Sequence, residues 1–139
     1  MKRHEALAAL SRDHHHALVV AQRLRRASET TATEVRDAFL AYWRADGQRH
    51  FREEEDILLP AYAGFGDPEE PVLARVLVDH VRIRRLAHEV ASDSPSLDAL
   101  HTLGEQLSAH VRREERELFP LIEQALPEHE LTRLVRLLS

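Results

Sequence analysis

Apolar side chains recur at three- and four-residue intervals along most of the chain, which is the spacing of one face of a helix. Residues that favour tight turns are few. The chain has four glycines, and two of them, Gly64 and Gly66, share one loop. A β fold needs many turns, so this pattern predicts an all-α protein.

Capping residues divide the first half of the chain into two long helices. Ser11 has the chemistry of an N-cap and predicts a first helix that runs to about Ala27. Thr31 with Glu34 forms a capping box for a second helix, which is predicted to end between residues 60 and 63, before the Gly64–Gly66 loop.

The second half shows the same organisation. Asp67 followed by Pro68 predicts the start of a third helix that ends near Ser92. A loop over residues 93–96 follows, in which Ser96 caps a fourth helix that ends near Leu126. Pro127 then opens a short amphipathic tail. The short connections predict an antiparallel up-down-up-down four-helix bundle with a short C-terminal helix, formed by a single domain of residues 1–139.

A histidine–carboxylate pair occurs twice, sixty positions apart. His50 and Glu54 form the first pair, His110 and Glu114 form the second, and each pair is followed by a proline at the same distance. Residues four apart lie one turn above each other on a helix, so both side chains of a pair reach the same point. Both pairs lie within apolar stripes, where a carboxylate without a partner is costly. We interpret them as ligands for a pair of metal ions.

The first and third helices also correspond to each other. Asp-His occurs in both, at His14 and at His80, and the same offsets from each histidine reach apolar residues. Each half of the chain therefore supplies one histidine from its first helix and a histidine–carboxylate pair from its second. His15 remains the alternative to His14, since an error of one residue in helix phase exchanges them.

The ligand types restrict the choice of metal. The chain contains no cysteine, so nitrogen and oxygen are the available strong ligands. Such a set, shared by two ions, suits iron or manganese, and zinc could bind the same residues. Ferritin-like di-iron bundles carry Glu-x-x-His instead. That motif is absent here, because Gly47, Leu77 and Leu107 stand three residues before the three later histidines.

Other acidic residues near the histidines are assigned lesser roles. Glu55 and Glu115 are five residues from His50 and His110, and we expect them on solvated faces or in ion pairs with nearby arginines. Asp13 and Asp79 are expected to pair with arginines, and a role in supporting the histidines is left open.

Overall charge and hydropathy exclude several classes of partner. The formal net charge is −5 with both signs interspersed, which argues against nucleic acid and anionic membranes. No apolar run is long enough for a signal peptide or a membrane span, so a cytoplasmic location is expected.

The motifs together resemble the hemerythrin-like (HHE cation-binding) domain, from about Leu7 to Leu126. The resemblance rests on the two Asp-His segments, on His50-Phe51-Arg52-Glu53-Glu54 with Leu-Pro after it, and on His110 to Glu114 with Leu-Phe-Pro after it. It implies two non-haem irons bridged by carboxylates and an oxo or hydroxo group. Terminal and bridging ligands are then assigned by similarity: terminal ligands His14, His50, His80 and His110; bridging ligands Glu54 and Glu114.

One departure from the family pattern bears on function. Oxygen-carrying members have a further histidine on the third helix where this chain has Arg84, and they tend to use a His-x-x-x-x-Asp spacing on the fourth helix. Fewer nitrogen ligands leave a coordination position open, which favours redox or sensing chemistry over oxygen transport. We expect binding or reduction of O2, peroxide or NO, with weak peroxidase- or catalase-like or NO/O2-reducing activity as possible enzymatic outcomes.

Two alternatives remain open at this point. The first is an iron-dependent sensor or interaction module without turnover, which would require a protein partner that the sequence does not identify. The second is a helical bundle that binds no metal. The sequence also leaves the physiological ligand, the reductant and the oligomeric state undetermined.

Overall fold

The computed structural model describes residues 2–92 and 94–138. Met1 and Ser139, which the predicted domain includes, and Asp93, which belongs to the predicted loop, lie outside that description. Within the described residues every regular element is helical and no strand occurs, which confirms the predicted all-α class. The helices form five stretches, four long and one short.

The bounds of the five stretches are as follows. The first is α1 (Glu5–Arg25). The second comprises α2 (Ala32–Tyr42), a π-helical segment (Trp43–Gly47), α3 (Gln48–Glu53), a second π-helical segment (Glu54–Leu58) and α4 (Leu59–Ala63). The third is α5 (Pro71–Val90). The fourth comprises α6 (Leu97–Arg113), a π-helical segment (Glu114–Leu118) and α7 (Phe119–Ala125), and the short tail is α8 (Glu128–Leu137).

The first helix starts earlier than the sequence predicted. Its N-cap is His4, whose Nδ1 accepts a hydrogen bond from the Ala6 backbone N–H at 2.9 Å. Ser11 lies inside the helix, and its hydroxyl donates to Glu115 at 2.8 Å. The prediction of a start at Ser11 was wrong because Leu7 is buried against the C-terminal part of the chain, and this packing extends the helix beyond the best capping residue.

The second helix begins where it was predicted, but without the predicted capping box. Thr31 precedes α2 and forms no side-chain cap with it. Its hydroxyl oxygen instead accepts a hydrogen bond from the backbone N–H of Ser28 at 2.9 Å. The threonine thus stabilises the preceding turn rather than the start of the helix.

The third helix begins three residues later than predicted. The Asp67 carboxylate accepts a hydrogen bond from the Glu69 backbone N–H, which forms a turn instead of a cap. Pro71 is the first residue of α5, and Glu70 before it is extended with ψ 127°. A residue that precedes proline disfavours helical backbone angles, so Glu70 cannot continue a helix from Pro68. The helix therefore starts at Pro71.

The later boundaries agree with the sequence. Ser96 caps α6, since its hydroxyl oxygen accepts a hydrogen bond from the Ala99 backbone N–H at 3.0 Å. The fourth stretch ends at Ala125, next to the predicted Leu126, and Pro127 is the N-cap of α8. No helix in the described ranges is long and apolar enough to cross a membrane.

Two apolar clusters make up the core, with a polar layer between them. One cluster includes Phe39, Phe51 and Leu103, and the other includes Tyr62 and Phe119. On α1 the second cluster includes residues between 6 and 10, and the first includes residues between 17 and 24. Buried polar side chains lie between these two levels, and they form the candidate site.

Helix α6 lies close to the backbone of α1 at Gly104. A Cβ atom added to Gly104 would lie 2.7 Å from the carbonyl oxygen of Ala21 and 2.9 Å from the backbone nitrogen of Arg25. Both atoms belong to the backbone of α1 and cannot move without moving the helix. Glycine therefore permits the close packing of these two helices.

We predict that Gly104→Ala destabilises the protein although alanine is the better helix former. Overpacking at a fixed backbone contact costs about 1–3 kcal/mol, which exceeds the roughly 1 kcal/mol gained in helix propensity. Gly64→Ala is the matched control, because its Cβ would meet a single atom at 3.5 Å. Urea unfolding of both variants tests this, and equal stability of the two would contradict the close approach.

Candidate metal centre

Six buried side chains converge at the centre of the polar layer. They form two groups, and within each group one ligand atom per residue lies within 4.8 Å of the others: His14, His50, Glu54 and Glu114; Glu54, His80, His110 and Glu114. Both glutamates belong to both groups. The structure thus brings together all six residues that the sequence selected, and each of the four long helical stretches contributes.

The two histidine–carboxylate pairs lie on helices that widen directly after them. Glu54 and Glu114 each begin a π-helical segment, and their carbonyl oxygens accept hydrogen bonds from the N–H groups of Leu59 and Phe119. A proline follows at the next position in both copies. Proline has no N–H and crowds the carbonyl four residues before it, and a wider turn relieves that crowding. The repeated proline therefore marks the irregular turn that follows each pair.

The Nδ1 atom of each histidine, on the side away from the centre, contacts a carboxylate of another helical stretch. The Nδ1–carboxylate contacts are His14 to Glu115 at 2.6 Å, His50 to Asp13 at 3.1 Å, His80 to Glu55 at 2.6 Å and His110 to Asp79 at 3.0 Å. An imidazole that donates from Nδ1 presents Nε2 as an acceptor, and carboxylates commonly orient metal-bound histidines in this way. All four Nε2 atoms face the two central glutamates.

Each of these four outer carboxylates also pairs with an arginine. The pairs are Asp13 with Arg49 at 3.5 Å, Glu55 with Arg84 at 2.7 Å, Glu115 with Arg3 at 3.3 Å, and Asp79 with Arg113. Arg84, which occupies the position of a histidine in oxygen carriers, therefore binds Glu55. The arginines balance the outer carboxylates, and the charge of the two inner glutamates is left to the groups at the centre.

The expected ion pairs of Glu55 and Glu115 with arginines are present, but with Arg84 and Arg3 rather than with Arg52, Arg112, Arg113 or Arg116, and the contacts of both carboxylates with histidines were not predicted. Asp13 and Asp79 form ion pairs with arginines as well. The repeat itself contained the missed signal: an acid stands five residues after the histidine in both pairs and directly before His14 and His80. Solvated surface residues need not recur at identical offsets in both halves, so this repetition indicated that the acids share a role.

Several inward atoms of the site have no hydrogen-bond partner among the described residues. They are Nε2 of His50, His80 and His110, both carboxylate oxygens of Glu54, and Oε2 of Glu114. Some of these atoms are close together, such as His50 Nε2 and Glu54 Oε2 at 3.0 Å, but they are not aligned for hydrogen bonding. Buried polar atoms without partners are costly. Metal cations would satisfy all of these nitrogen and oxygen atoms at once, so the donor set fits the predicted metal ions.

Charge coupling in this cluster raises the pKa of the histidines. Burial acts to lower the pKa of His110, but the charge of Glu114 and the hydrogen bond to Asp79 outweigh it and raise the pKa to about 10. Burial is likewise outweighed at His80, where the nearby carboxylates of Glu114 and Glu54 raise the pKa to about 9. Burial opposes ionisation of Glu114 too, but the neighbouring histidines, His110 foremost, hold its pKa well below the usual range. Without metal, protons supply the positive charge that the glutamates need.

Aromatic rings cover two of the histidines. Phe51 stacks on His80 with 3.9 Å between ring centroids, and Phe119 stacks on His14 at 5.3 Å. Trp43 contacts Phe51 edge-on, with 5.2 Å between ring centroids. These rings limit the access of water to the polar layer.

Comparison with known proteins identifies the family. The model of the hemerythrin HHE cation binding domain matches residues 5–122, which is most of the chain. The protein therefore belongs to the hemerythrin HHE cation-binding family, with a buried histidine–glutamate cluster that could bind metal. No curated protein and no solved structure matched the chain.

Substitution of adjacent histidines tests the choice between His14 and His15. His14 is 4% exposed and points to Glu114, whereas His15 is exposed. We predict that His14→Ala weakens metal binding. The loss should exceed the roughly 10–100-fold that follows removal of a residue hydrogen-bonded to a ligand, because here a ligand itself is removed. His15→Ala should bind like the unchanged protein in metal titrations. Equal weakening by both substitutions would reject the assignment of His14.

The raised pKa values predict how the metal-free protein responds to pH. Histidine in the unfolded chain titrates near 6.5, whereas His80 and His110 in the folded protein titrate at about 9 and 10. Their stabilisation is therefore complete below pH 6.5 and is lost as the pH rises through the folded values. The melting temperature of chelator-treated protein should fall between pH 6.5 and 10. His15→Ala should retain this fall, and a flat profile would contradict the pairing.

Proposed function

We propose that this protein holds a carboxylate-bridged pair of non-haem iron ions and binds or reduces O2, peroxide or NO there. In this proposal His14, His50, His80 and His110 are terminal ligands, and Glu54 and Glu114 bridge the ions. The observation that carries it is the set of buried inward atoms without hydrogen-bond partners, all of them metal-ligand types. The membership of both glutamates in both four-residue groups supports two ions rather than one.

The choice of iron follows from the ligand chemistry. Two nitrogen ligands and two shared carboxylates per group suit a redox-active ion such as iron or manganese. Zinc could use the same ligands but would supply no electrons. An oxo or hydroxo bridge between two iron ions is part of the proposal, by similarity to the family.

The protein's own residues would position and isolate this centre. When bound, the iron pair would supply electrons and an open coordination position for a small ligand. The outer carboxylates keep each Nδ1–H engaged, so that each Nε2 stays available to a cation. Phe51 and Phe119 cover histidine rings and keep water away, which favours small neutral ligands over ions.

The same proposal includes the antiparallel order of the four long helices. Contacts between α1 and the fourth stretch support it: His14 near the middle of α1 contacts Glu114, whereas Ala27 just after its end accepts a hydrogen bond from His101. The third and fourth stretches follow the same rule, since Arg75 pairs with Glu117 and His110 with Asp79. Contacts that run in opposite directions along two helices are those of an antiparallel pair.

Three further expectations accompany the proposal. The chain acts as a single domain, its location is cytoplasmic, and its partners are a small diatomic or peroxide ligand and a reductant rather than nucleic acid or a membrane. The even mixture of charges over the sequence supports the last point.

Anaerobic loading with ferrous iron tests the proposed function, and Glu54→Gln sharpens the test. We expect about two irons per chain and near-ultraviolet oxo-bridge absorption after exposure to oxygen, as for a two-metal site. Glu54→Gln keeps the shape but removes the bridging charge, so loading should fall below one iron per chain. Glu117→Gln is the control, because Glu117 lies three residues from Glu114 on the same stretch but is exposed.

The outcome also separates the alternatives. Iron content below one per chain in the unchanged protein, with no new absorption, would reject the di-iron proposal. Full loading that raises the melting temperature, but with no spectral response to O2, peroxide or NO, would favour the iron-dependent sensor.

A further inference from the structure

A chain of aromatic rings connects the candidate centre with the protein surface. Successive centroid distances are 3.9 Å from His80 to Phe51, 5.2 Å to Trp43, 5.9 Å to Phe39, 6.1 Å to Tyr42 and 5.0 Å to His16. The last four are typical of aromatic rings in contact. The side chain of His16 is 54% exposed, so the chain of rings begins at a candidate metal ligand and ends in solvent.

Two members of this chain are the most easily oxidised side chains near the centre. The protein contains no cysteine, one tryptophan and two tyrosines, and its single methionine is Met1. Trp43 and Tyr42 are 6% and 5% exposed, so both are shielded from oxidants in bulk solvent. Any oxidation of these rings must therefore come mainly from inside the protein.

Gly47 allows both rings to occupy this place. A Cβ atom at Gly47 would lie 2.5 Å from Cε3 of Trp43 and 3.1 Å from Cε2 of Tyr42. Both rings thus border the position of this Cβ atom, and both contact Phe39. Gly47 ends the π-helical segment that begins at Trp43, so the irregular turn and the glycine together allow both oxidisable rings to pack against Gly47.

We propose that Trp43 and Tyr42 supply electrons to the candidate metal centre, through Phe51 and His80, when peroxide is present after the bound ions have given up their own electrons. This inference rests on the proposed function. Peroxide takes up two electrons and two protons and becomes two molecules of water. One electron and one proton leave the indole of Trp43, and the other pair leaves the phenol of Tyr42, so the step balances.

Tyr62, elsewhere in the protein, provides a matched control. This tyrosine is 1% exposed and lies in the other apolar cluster, where its hydroxyl donates to the carbonyl of Asp67. Within the described ranges Tyr62 makes no ring contact with another aromatic side chain. It is as well buried as Tyr42 but is not connected to the centre through rings.

The first experiment treats iron-loaded protein with hydrogen peroxide and maps oxygen addition by peptide mass spectrometry. Iron content is measured first, so a failure to load counts against the proposed function and not against this inference. In loaded protein we expect oxidation of Trp43 and Tyr42 and none above background at Tyr62. Metal-free protein should show none at any of the three. Equal oxidation of the two tyrosines in loaded protein would overturn the proposal.

Variants interrupt the chain of rings at defined points. Trp43→Phe keeps an aromatic ring but removes the easily oxidised indole, so most of the oxidation of Tyr42 should be lost while iron content is retained. Tyr42→Phe removes one hydroxyl and serves if Trp43→Phe does not fold. It should increase oxidation at Trp43, whereas Tyr62→Phe should not. Unchanged oxidation at Trp43 in Tyr42→Phe would contradict the coupling.

A second measurement needs no metal. An ultraviolet laser flash absorbed by the indole ionises Trp43, the single tryptophan, inside the protein, and transient absorption then follows transfer of an electron from tyrosine to the tryptophan radical. We expect this transfer in metal-free protein and in Tyr62→Phe, and its loss in Tyr42→Phe. Its persistence in Tyr42→Phe would show that the two rings are not coupled and would overturn the proposal independently of iron.

Discussion

Two carboxylates, Glu54 and Glu114, lie at the centre of the molecule with no exposed surface, and the organisation of the surrounding helices follows from their burial. A buried carboxylate is costly unless positive charge or hydrogen-bond donors surround it. Here the surrounding groups are four imidazoles, one from each long helical stretch. Whether protons or metal cations supply the positive charge, all four stretches must present a histidine at the same level. This requirement sets how far each helix is shifted along its axis relative to the others.

The outer carboxylates link the four long stretches in a closed ring of carboxylate–histidine contacts. Each long stretch presents its own histidine to the centre and a carboxylate to the histidine of the next stretch: Asp13 to His50, Glu55 to His80, Asp79 to His110, and Glu115 back to His14. A helix that rotates or slides therefore breaks bonds with two neighbours, not one. Networks of this kind are favourable only when every member is satisfied. The arginines complete the outer side of the ring, so the inward atoms are the part that a metal cation could satisfy.

The inner residues were predictable from the sequence because helix geometry alone relates His50 to Glu54. The outer carboxylates were not, because their partners lie on other helices and depend on rotation and axial shift. The side chain of Glu55 points away from His50, as the five-residue spacing indicates, and it contacts His80 on the third stretch. The helix starts show the same limit. Ser11 is a good cap in isolation, and only the burial of Leu7 against distant residues explains why α1 begins at Glu5.

The two halves of the chain repeat their polar residues but not their aromatic ones. His50 is followed by Phe51, whereas the corresponding position after His110 is Val111. Consequently His80 stacks on Phe51, which contacts Trp43, whereas His14 stacks on Phe119. An arginine lies 5.5 Å from the centroid of each phenylalanine, Arg84 over Phe51 and Arg3 over Phe119. A guanidinium over a ring disfavours removal of an electron from that ring, because the product would bring two positive charges together. Neither phenylalanine is therefore a good electron donor, and the two sides differ in what lies beyond these rings. Phe51 contacts Trp43, whereas within the described residues Phe119 has a ring contact with His14 alone, so the symmetric ligand set is enclosed asymmetrically.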